Sequence, residues 1–201
     1  MKRDTEGFSF TIEHQEPLYR GFYQMDQLTI RHQRFDGGQL TINRELMDRA
    51  DAVCVLLVDL PQKKAVFIEQ FRVGALRDGN PWLIELVAGL IDKDEQPEQV
   101  AKREAFEETG LELGRLRKIM EYLPSPGGTN ERIHLYVGEV DSAKASGLHG
   151  LEEEGEDIRV FTTSLQEAYE MINDGSIRNA ASIIALQWLQ LHESTLKDEW
   201  A

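Results

Sequence analysis

Between Gly89 and Leu111 the chain reads GLIDKDEQPEQVAKREAFEETGL. Seven acids and three bases crowd into this segment. Pro97 to Thr109 is expected to form a helix, because proline suits a first helical turn and Gly110 supplies a stop. On that helix Glu104, Glu107 and Glu108 stand at i, i+3 and i+4 and share one face. Like charges at those spacings repel by about 0.2–0.5 kcal/mol per pair. A helix with a purely structural task gains nothing from stacking them without a cation. The plain alternative is a solvated acidic face, the commoner fate of Glu-rich helices. Carboxylates on one rigid face also suit hard divalent cations such as Mg²⁺, which take oxygen ligands and keep several waters.

Working outward, the chain on both sides is rich in strands. Ala52 to Leu60 reads as a buried strand, Pro61-Gln62-Lys63-Lys64 as a turn, and Ala65 to Gln70 as its hairpin partner. Trp82 to Val87 is a further apolar strand ending at Ala88-Gly89. Strands are expected at Leu116 to Leu123, Arg132 to Val140 and Ile158 to Thr162. Ser164 with Glu167 three residues later forms a capping-box pattern and opens a helix to about Asp174. A last helix, about Ala180 to His192, carries Ile183, Ile184, Leu186, Leu189 and Leu191. Toward the N-terminus, Gly21 to Arg34 alternates through Leu28 and Ile30. Asp36-Gly37-Gly38 then marks a hairpin turn, and Leu40 and Ile42 lie on the return strand. Residues 1–48 therefore form a small β subdomain, and 49–201 the main domain. A segment of about 48 residues buries too little surface to stand alone, so it packs on the rest of the chain or on a second copy. Strands with few helices indicate an α+β fold or an α/β sandwich.

The 201 residues include 36 acids and 22 bases, for a formal charge of −14, and 41% are hydrophobic. That apolar fraction supports a real core and argues against disorder. The negative balance, with no basic stripe to offset it, argues against nucleic-acid or anionic-membrane partners. Val53-Cys54-Val55-Leu56-Leu57-Val58 is far too short to span a membrane. One cysteine excludes an internal disulfide. Met1-Lys2-Arg3-Asp4 leads into polar sequence without the pattern of a signal peptide. A cytoplasmic protein is the default expectation.

The spacing around the acidic helix is more specific than its charge. Gly89, Glu95, Arg103-Glu104-Ala105, Glu107-Glu108, Gly110 and Leu111 fill every defined position of the Nudix box, GX5EX7REUXEEXGU, where U is aliphatic. The chain thus resembles the Nudix hydrolases. That resemblance implies an α/β/α sandwich with a mixed sheet and hydrolysis of a nucleoside diphosphate linked to another group. It implies Mg²⁺, or Mn²⁺, held by Glu104 and Glu108, with Glu107 close by and the Ala88 carbonyl as a further ligand. Arg103 and Glu95 would brace the helix rather than touch substrate. The chemistry agrees from below. A diphosphate is repelled by a strongly acidic protein, and divalent ions neutralise it and make a bound water nucleophilic.

Other segments bear on the substrate. Ser125-Pro126-Gly127-Gly128-Thr129 places a proline fifteen residues beyond Leu111, and any Pro-Gly-Gly also makes a tight turn. Together with Leu18-Tyr19-Arg20-Gly21-Phe22, Glu69-Gln70-Phe71-Arg72 and the tail from Asn179 to His192, it resembles the ADP-ribose pyrophosphatase subgroup. The resemblance runs from about Leu18 to Ala201. It implies a homodimer whose N-terminal β segments pack on the partner and share the active site. By resemblance, Arg44 and Glu45 approach the substrate from one subunit. Arg72 meets a phosphate or the terminal ribose, Phe22 stacks on adenine, Glu131 contacts ribose, and Ser125 is a further contact. The bland readings are surface ion pairs for the arginines and interface core for Phe22.

A further carboxylate is needed as base if the box glutamates hold metal. Leu151-Glu152-Glu153-Glu154-Gly155-Glu156-Asp157 supplies candidates, although acidic loops are usually just solvated. The subgroup's loop glutamates match Glu154, the expected general base, and Glu156, a metal ligand or second base, with Glu153 and Asp157 as alternatives. Gly147, Gly150 and Gly155 would make such a loop pliable. The expected reaction converts ADP-ribose and water to AMP and ribose 5-phosphate. The rivals are the same chemistry on a GDP-sugar, FAD or a dinucleotide, and a sensor that binds ADP-ribose without cleaving it. Cys54 is expected in the core. Trp82 is expected in the core or an interface, Trp188 on the sheet, and Trp200 as a tail anchor. No histidine spacing is of a metal-binding kind.

Overall fold

In a computed structural model that describes residues 7–91, 94–151, 153 and 155–201, the strands are β1 Phe10–Arg20, β2 Gln24–Gln33, β3 Gln39–Asp48, β4 Ala52–Asp59, β5 Lys64–Phe71, β6 Trp82–Glu85, β7 Val87–Leu90, β8 Leu116–Tyr122, β9 Ile133–Glu139, β10 Gly147–His149 and β11 Ile158–Ser164. The helices are α1 Pro97–Thr109, α2 Leu165–Asn173 and α3 Ala180–Glu199. The chain divides into two compact units. One holds the described residues up to Ala50 together with Leu123–Glu131, and the other holds Asp51–Tyr122 and Arg132–Ala201.

The larger unit is organised by β4, which is buried along its whole length. Its side chains alternate between two layers, as a strand covered on both faces requires. Val53, Val55 and Leu57 meet Val100, Ala101 and Ala105 of α1. Ala52, Cys54, Leu56 and Val58 meet Leu186, Leu189 and Leu196 of α3 and Leu165 and Ala168 of α2. The result is a mixed sheet in the order β10-β11-β5-β4-β9-β8 between helical layers, with β6 joined to β5 and β7 to β4. The β4–β9 pair is parallel and the others are antiparallel. Cys54 lies in this core as expected.

The smaller unit contains the antiparallel sheet β1-β2-β3. The Asp36-Gly37-Gly38 hairpin is present, with the Arg34 N–H donating to the Gly38 carbonyl at 2.8 Å and Gly37 at a positive φ of 90°. Leu123–Glu131 joins this unit through the Met47 N–H, which donates to the Gly128 carbonyl at 2.8 Å. β1 is exposed along its whole length and carries Phe10, Ile12 and Leu18 on open surface.

Several boundaries differ from the sequence reading. The strand expected from Gly21 begins at Gln24. The single strand expected over Trp82 to Val87 is two, broken at Leu86: β6 pairs with β5, whereas β7 crosses to β4. Trp82 is consequently not in the core of the chain; it is exposed, edge-on to Phe71 with centroids 5.5 Å apart. The last helix runs on to Glu199, because Leu196 and Trp200 still find apolar cover. Trp188 packs against the core as expected, with His192 stacked on it at 4.7 Å. Trp200 is buried, with the Arg115 guanidinium 5.7 Å from its ring centre.

Candidate active site

The helix α1 is preceded by Gln96, whose N–H donates to Gln99 Oε1 at 2.9 Å and whose carbonyl accepts from the Gln99 N–H at 2.9 Å, and it stops at Gly110 in the left-handed conformation. Val100, Ala101 and Ala105 lock the helix onto β4, and Glu104 and Glu108, three or four residues from them, lie on that same inward side. Glu104 and Glu108 are thereby pressed against β7. The Ala88 N–H donates to Glu108 Oε2 at 3.0 Å, and only 2% of Glu108 is exposed. Gly89 passes under Glu104 so closely that a Cβ there would lie 1.8 Å from Glu104 Oε1. Gly89 has no positive φ, so contact rather than backbone conformation demands glycine.

Arg103 organises the remaining box acids. Its Nε and Nη2 bond Glu95 at 3.1 and 3.0 Å, and its Nη1 reaches Glu104 at 2.7 Å and Glu107 at 3.0 Å. One guanidinium thus ties the strand-to-helix loop to the helix face, the bracing arrangement expected from the sequence. It does not neutralise the cluster. Burial, more than anything else, pushes the Glu104 carboxyl up to about 7, against the pull of Arg103 and with the charges of Glu107 and Glu156 adding to the rise. Glu108 is pushed well above the usual carboxylate range by burial, with Glu104 and Glu156 adding to it and the Ala88 N–H and Arg72 opposing.

Glu156 belongs to this neighbourhood through those charge effects. Its N–H donates to the Leu151 carbonyl at 3.1 Å, and the Leu151 N–H donates back to its Oε2 at 3.3 Å. Gly150, at φ +100°, is required there, since a Cβ would lie 2.8 Å from the Glu156 Cβ. At the base of the loop His149 rests on Gly110, the stop of α1. Glu154 lies outside the described residues. Glu153 and Asp157, the alternatives, are exposed.

Arg72 follows β5 and donates from Nε to Glu85 Oε2 at 2.8 Å. Glu85 is a partner that sequence reading did not single out; its place opposite Ile68 in the β5–β6 register was the missing signal. Among the described residues, no three His, Cys, Asp or Glu side chains converge tightly enough to cage a metal by themselves. The box face therefore offers oxygen donors from one buried and one partly buried carboxylate, a donor type that suits a cation keeping part of its water shell.

The remaining expected residues fall in the smaller unit. Phe22 is 83% exposed and edge-on to Tyr23, centroids 5.0 Å apart. The Arg49 guanidinium lies 5.2 Å from the Tyr23 ring centre, and its Nη2 is 3.3 Å from Glu131 Oε1. Phe22 and Glu131 are thus linked through Tyr23 and Arg49, neither of which the sequence reading named. Arg44 and Glu45 are consecutive on β3, exposed, and so project to opposite faces of the sheet. The Arg44 Nη1 donates to the Asn43 carbonyl at 2.7 Å. Ser125 opens a turn in which its carbonyl accepts from Gly128 and Thr129 at 3.0 and 3.1 Å.

Comparison with known proteins agrees with this geometry. A model of the NUDIX domain matches residues 48–186. The ADP-ribose pyrophosphatase of Escherichia coli strain K12 is 49% identical over 189 residues, covering 92% of this chain and 90% of that protein. The ADP-ribose pyrophosphatase of Haemophilus influenzae is 41% identical, covering 92% and 88%. A GDP-mannose pyrophosphatase of Escherichia coli is 38% identical, covering 90% and 95%. A crystal structure of an ADP compounds hydrolase superposes with a TM-score of 0.71 over 92% of this chain and 95% of that one; at 18% identity this shows the fold.

Proposed function

The chain belongs to the NUDIX family, and from that premise we propose that it hydrolyses the pyrophosphate bond of ADP-ribose to AMP and ribose 5-phosphate. The observation that carries the proposal is the pair Glu104 and Glu108 set against β7, Glu108 buried on the Ala88 N–H and Glu104 sharing the single Arg103 guanidinium with Glu95 and Glu107. Two such carboxylates fit a divalent cation, for which we propose Mg²⁺, with Mn²⁺ as a substitute. Glu104, Glu108, the Ala88 carbonyl and Glu156 would hold it. When bound, the ion supplies charge neutralisation for the diphosphate and acidifies a water.

The chain's own residues have the following parts in this reading. Glu154 takes the proton from the attacking water as general base, and Glu156 is the second candidate for that task. Arg72, kept in place by Glu85, meets a phosphate or the terminal ribose. Phe22 offers an open aromatic face for adenine, and Glu131, Arg44, Glu45 and Ser125 contribute further polar contacts. Arg103 and Glu95 keep α1 and the preceding loop at fixed distance.

A homodimer completes the proposal. Residues 1–48 form the dimer-building β subdomain and 49–201 the hydrolase domain. The support is the open apolar surface of β1, with Phe10, Ile12 and Leu18 exposed on a unit too small for a core of its own. No described helix is long and apolar enough to cross a membrane. A cytoplasmic setting is proposed on the strength of the single cysteine.

The GDP-mannose pyrophosphatase relative keeps a GDP-sugar as the second reading. A panel of ADP-ribose, GDP-mannose, FAD and dinucleotides with Mg²⁺, with products separated by chromatography, decides between them. AMP and ribose 5-phosphate from ADP-ribose, with much slower cleavage of the others, is the expected result. Faster cleavage of GDP-mannose would replace the first reading with the second.

A further inference from the structure

One buried polar group beside the box face has no task in the arrangement above. Gln70, in β5, is 6% exposed, and its Nε2 has no hydrogen-bond partner among the described residues. Buried side-chain donors are almost always satisfied, and an unmet one costs about 1–3 kcal/mol. Such a cost is tolerated where a ligand meets the donor.

Its position says which ligand. Along β5, Val66 and Ile68 enter the apolar layer beneath α1. Gln70 continues that face at the end of the strand, as the two-residue period requires. It pairs with Leu83 in β6, two residues before Glu85. Arg72, next on the same face, is bonded to Glu85, and its charge reaches Glu108. On the other edge β11 joins β5 at the Arg159–Glu69 pair, so the chain arriving from Glu156 comes alongside Gln70. The amide therefore lies on the strand that leads into the Arg72–Glu85 pair, whose arginine charge reaches Glu108, and beside the strand that follows Glu156. None of those carboxylates accepts from it. A neutral donor at this place offers a hydrogen bond to an anionic oxygen without adding a positive charge that would compete with a divalent cation.

We propose that Gln70 is a substrate-binding residue whose Nε2–H donates to a non-bridging oxygen of the bound diphosphate. This rests on the reading of the site as a nucleoside-diphosphate hydrolase. It adds a contact on the floor of the site that depends on neither the metal nor an arginine.

The test is Gln70→Met, which removes the donor at similar volume in an unbranched side chain. Gln70→Leu serves as a second variant. Three quantities are read on the full chain: affinity for a methylene-bridged ADP-ribose analogue with Mg²⁺ present, affinity for Mg²⁺ alone, and the thermal midpoint. The analogue is expected to bind the wild type and to bind Gln70→Met about tenfold more weakly, the range of one hydrogen bond to a charged group. Mg²⁺ affinity should be unchanged, and the midpoint unchanged or raised, since an unmet buried donor has been removed. Unchanged analogue affinity overturns the proposal and leaves the hydrolase reading standing. Weakened Mg²⁺ affinity with the analogue otherwise unaffected assigns the amide to the carboxylates and also overturns it. A midpoint lowered in both variants makes Gln70 a structural residue and overturns it too. A wild type that binds no analogue even with Mg²⁺ removes the hydrolase reading and this proposal together.

Discussion

Gly89 lies directly beneath Glu104, so that a methyl group on its Cα would overlap the carboxylate, with Oε1 at 1.8 Å and Cδ at 2.1 Å. The glycine that opens the box thus makes room for a glutamate fifteen residues later. Because the backbone at Gly89 is not in the left-handed region, the relationship is purely steric and can be tested by a single methyl.

Gly89→Ala should fold and lose activity. Displacing a catalytic carboxylate by about 1 Å costs on the order of 100-fold in rate. We expect kcat/KM to fall by about that factor while circular dichroism stays unchanged. Wild-type activity in the variant would contradict the close contact.

Arg103→Lys should lower stability although the charge is kept. Lysine cannot reproduce the two-pronged bond to Glu95 while also reaching Glu104 and Glu107. Arg103 is about one-third exposed, so solvent screens part of the loss. A decrease of about 1–2 kcal/mol in urea unfolding is expected. No shift in the denaturation midpoint would show that the clamp carries no stability.

The metal-free protein should lose stability as pH rises toward neutrality. Glu104 moves from an ordinary 4.5 to about 7, chiefly through burial, and Glu108 also moves upward. The folded form therefore binds these protons more tightly than the unfolded chain does. The contribution is fully present below about pH 4.5 and disappears as pH passes through 7. Thermal midpoints of chelator-stripped protein should fall between about pH 5 and pH 8, and Mg²⁺ should recover the loss at the upper end while releasing protons. Glu104→Gln should flatten that slope. A slope of equal size in Glu104→Gln would assign it to other groups.

Glu154→Gln should reduce kcat by about 10²- to 10⁴-fold with little change in KM, as expected for a general base. Glu156→Gln should instead raise the Mg²⁺ concentration needed for half-maximal rate. The opposite pattern would exchange the two roles, and near-normal turnover of Glu154→Gln would remove the base assignment.

Hydrolysis in ¹⁸O-labelled water reads which phosphorus is attacked. By resemblance to the subgroup, label is expected in AMP, from attack at the adenosyl phosphorus. Label in ribose 5-phosphate would place the attack on the other phosphorus.

Features governed by near neighbours in the chain were readable in advance. The limits of α1 at Pro97 and Thr109 agree with the sequence reading, as does the capping box of Ser164 and Glu167, because proline, glycine and capping side chains act within one helical turn. β4 and β5 were recognisable from their continuous apolar runs. The break at Leu86 was not, since Trp82-Leu83-Ile84 and Leu86-Val87, separated by a single glutamate, read as one strand whether they pair with one neighbour or two. For the same reason the choice between core and interface for Trp82 was not legible: its hydrophobicity is visible, but its position on the exposed β6 segment, outside the core, depends on pairing with Phe71.

The site divides along the same line. The Nudix box and the two carboxylates that face one way are legible in a single short segment, and the resemblance that the box carries implied the family and the fold. Their burial does not, for Glu108 acquires its 2% exposure and its bond to Ala88 only because β7 crosses to β4 beneath the helix. Nor could sequence alone reveal the Phe22–Tyr23–Arg49–Glu131 chain, whose ends lie far apart in the sequence and meet when Leu123–Glu131 folds back onto the smaller unit. The unmet amide of Gln70 is likewise a product of packing, because a glutamine is ordinary until the fold takes its amide away from water. Local periodicity and capping chose the elements; long-range burial, which removes water from chosen carboxylates and donors, decided what those elements hold ready for a ligand.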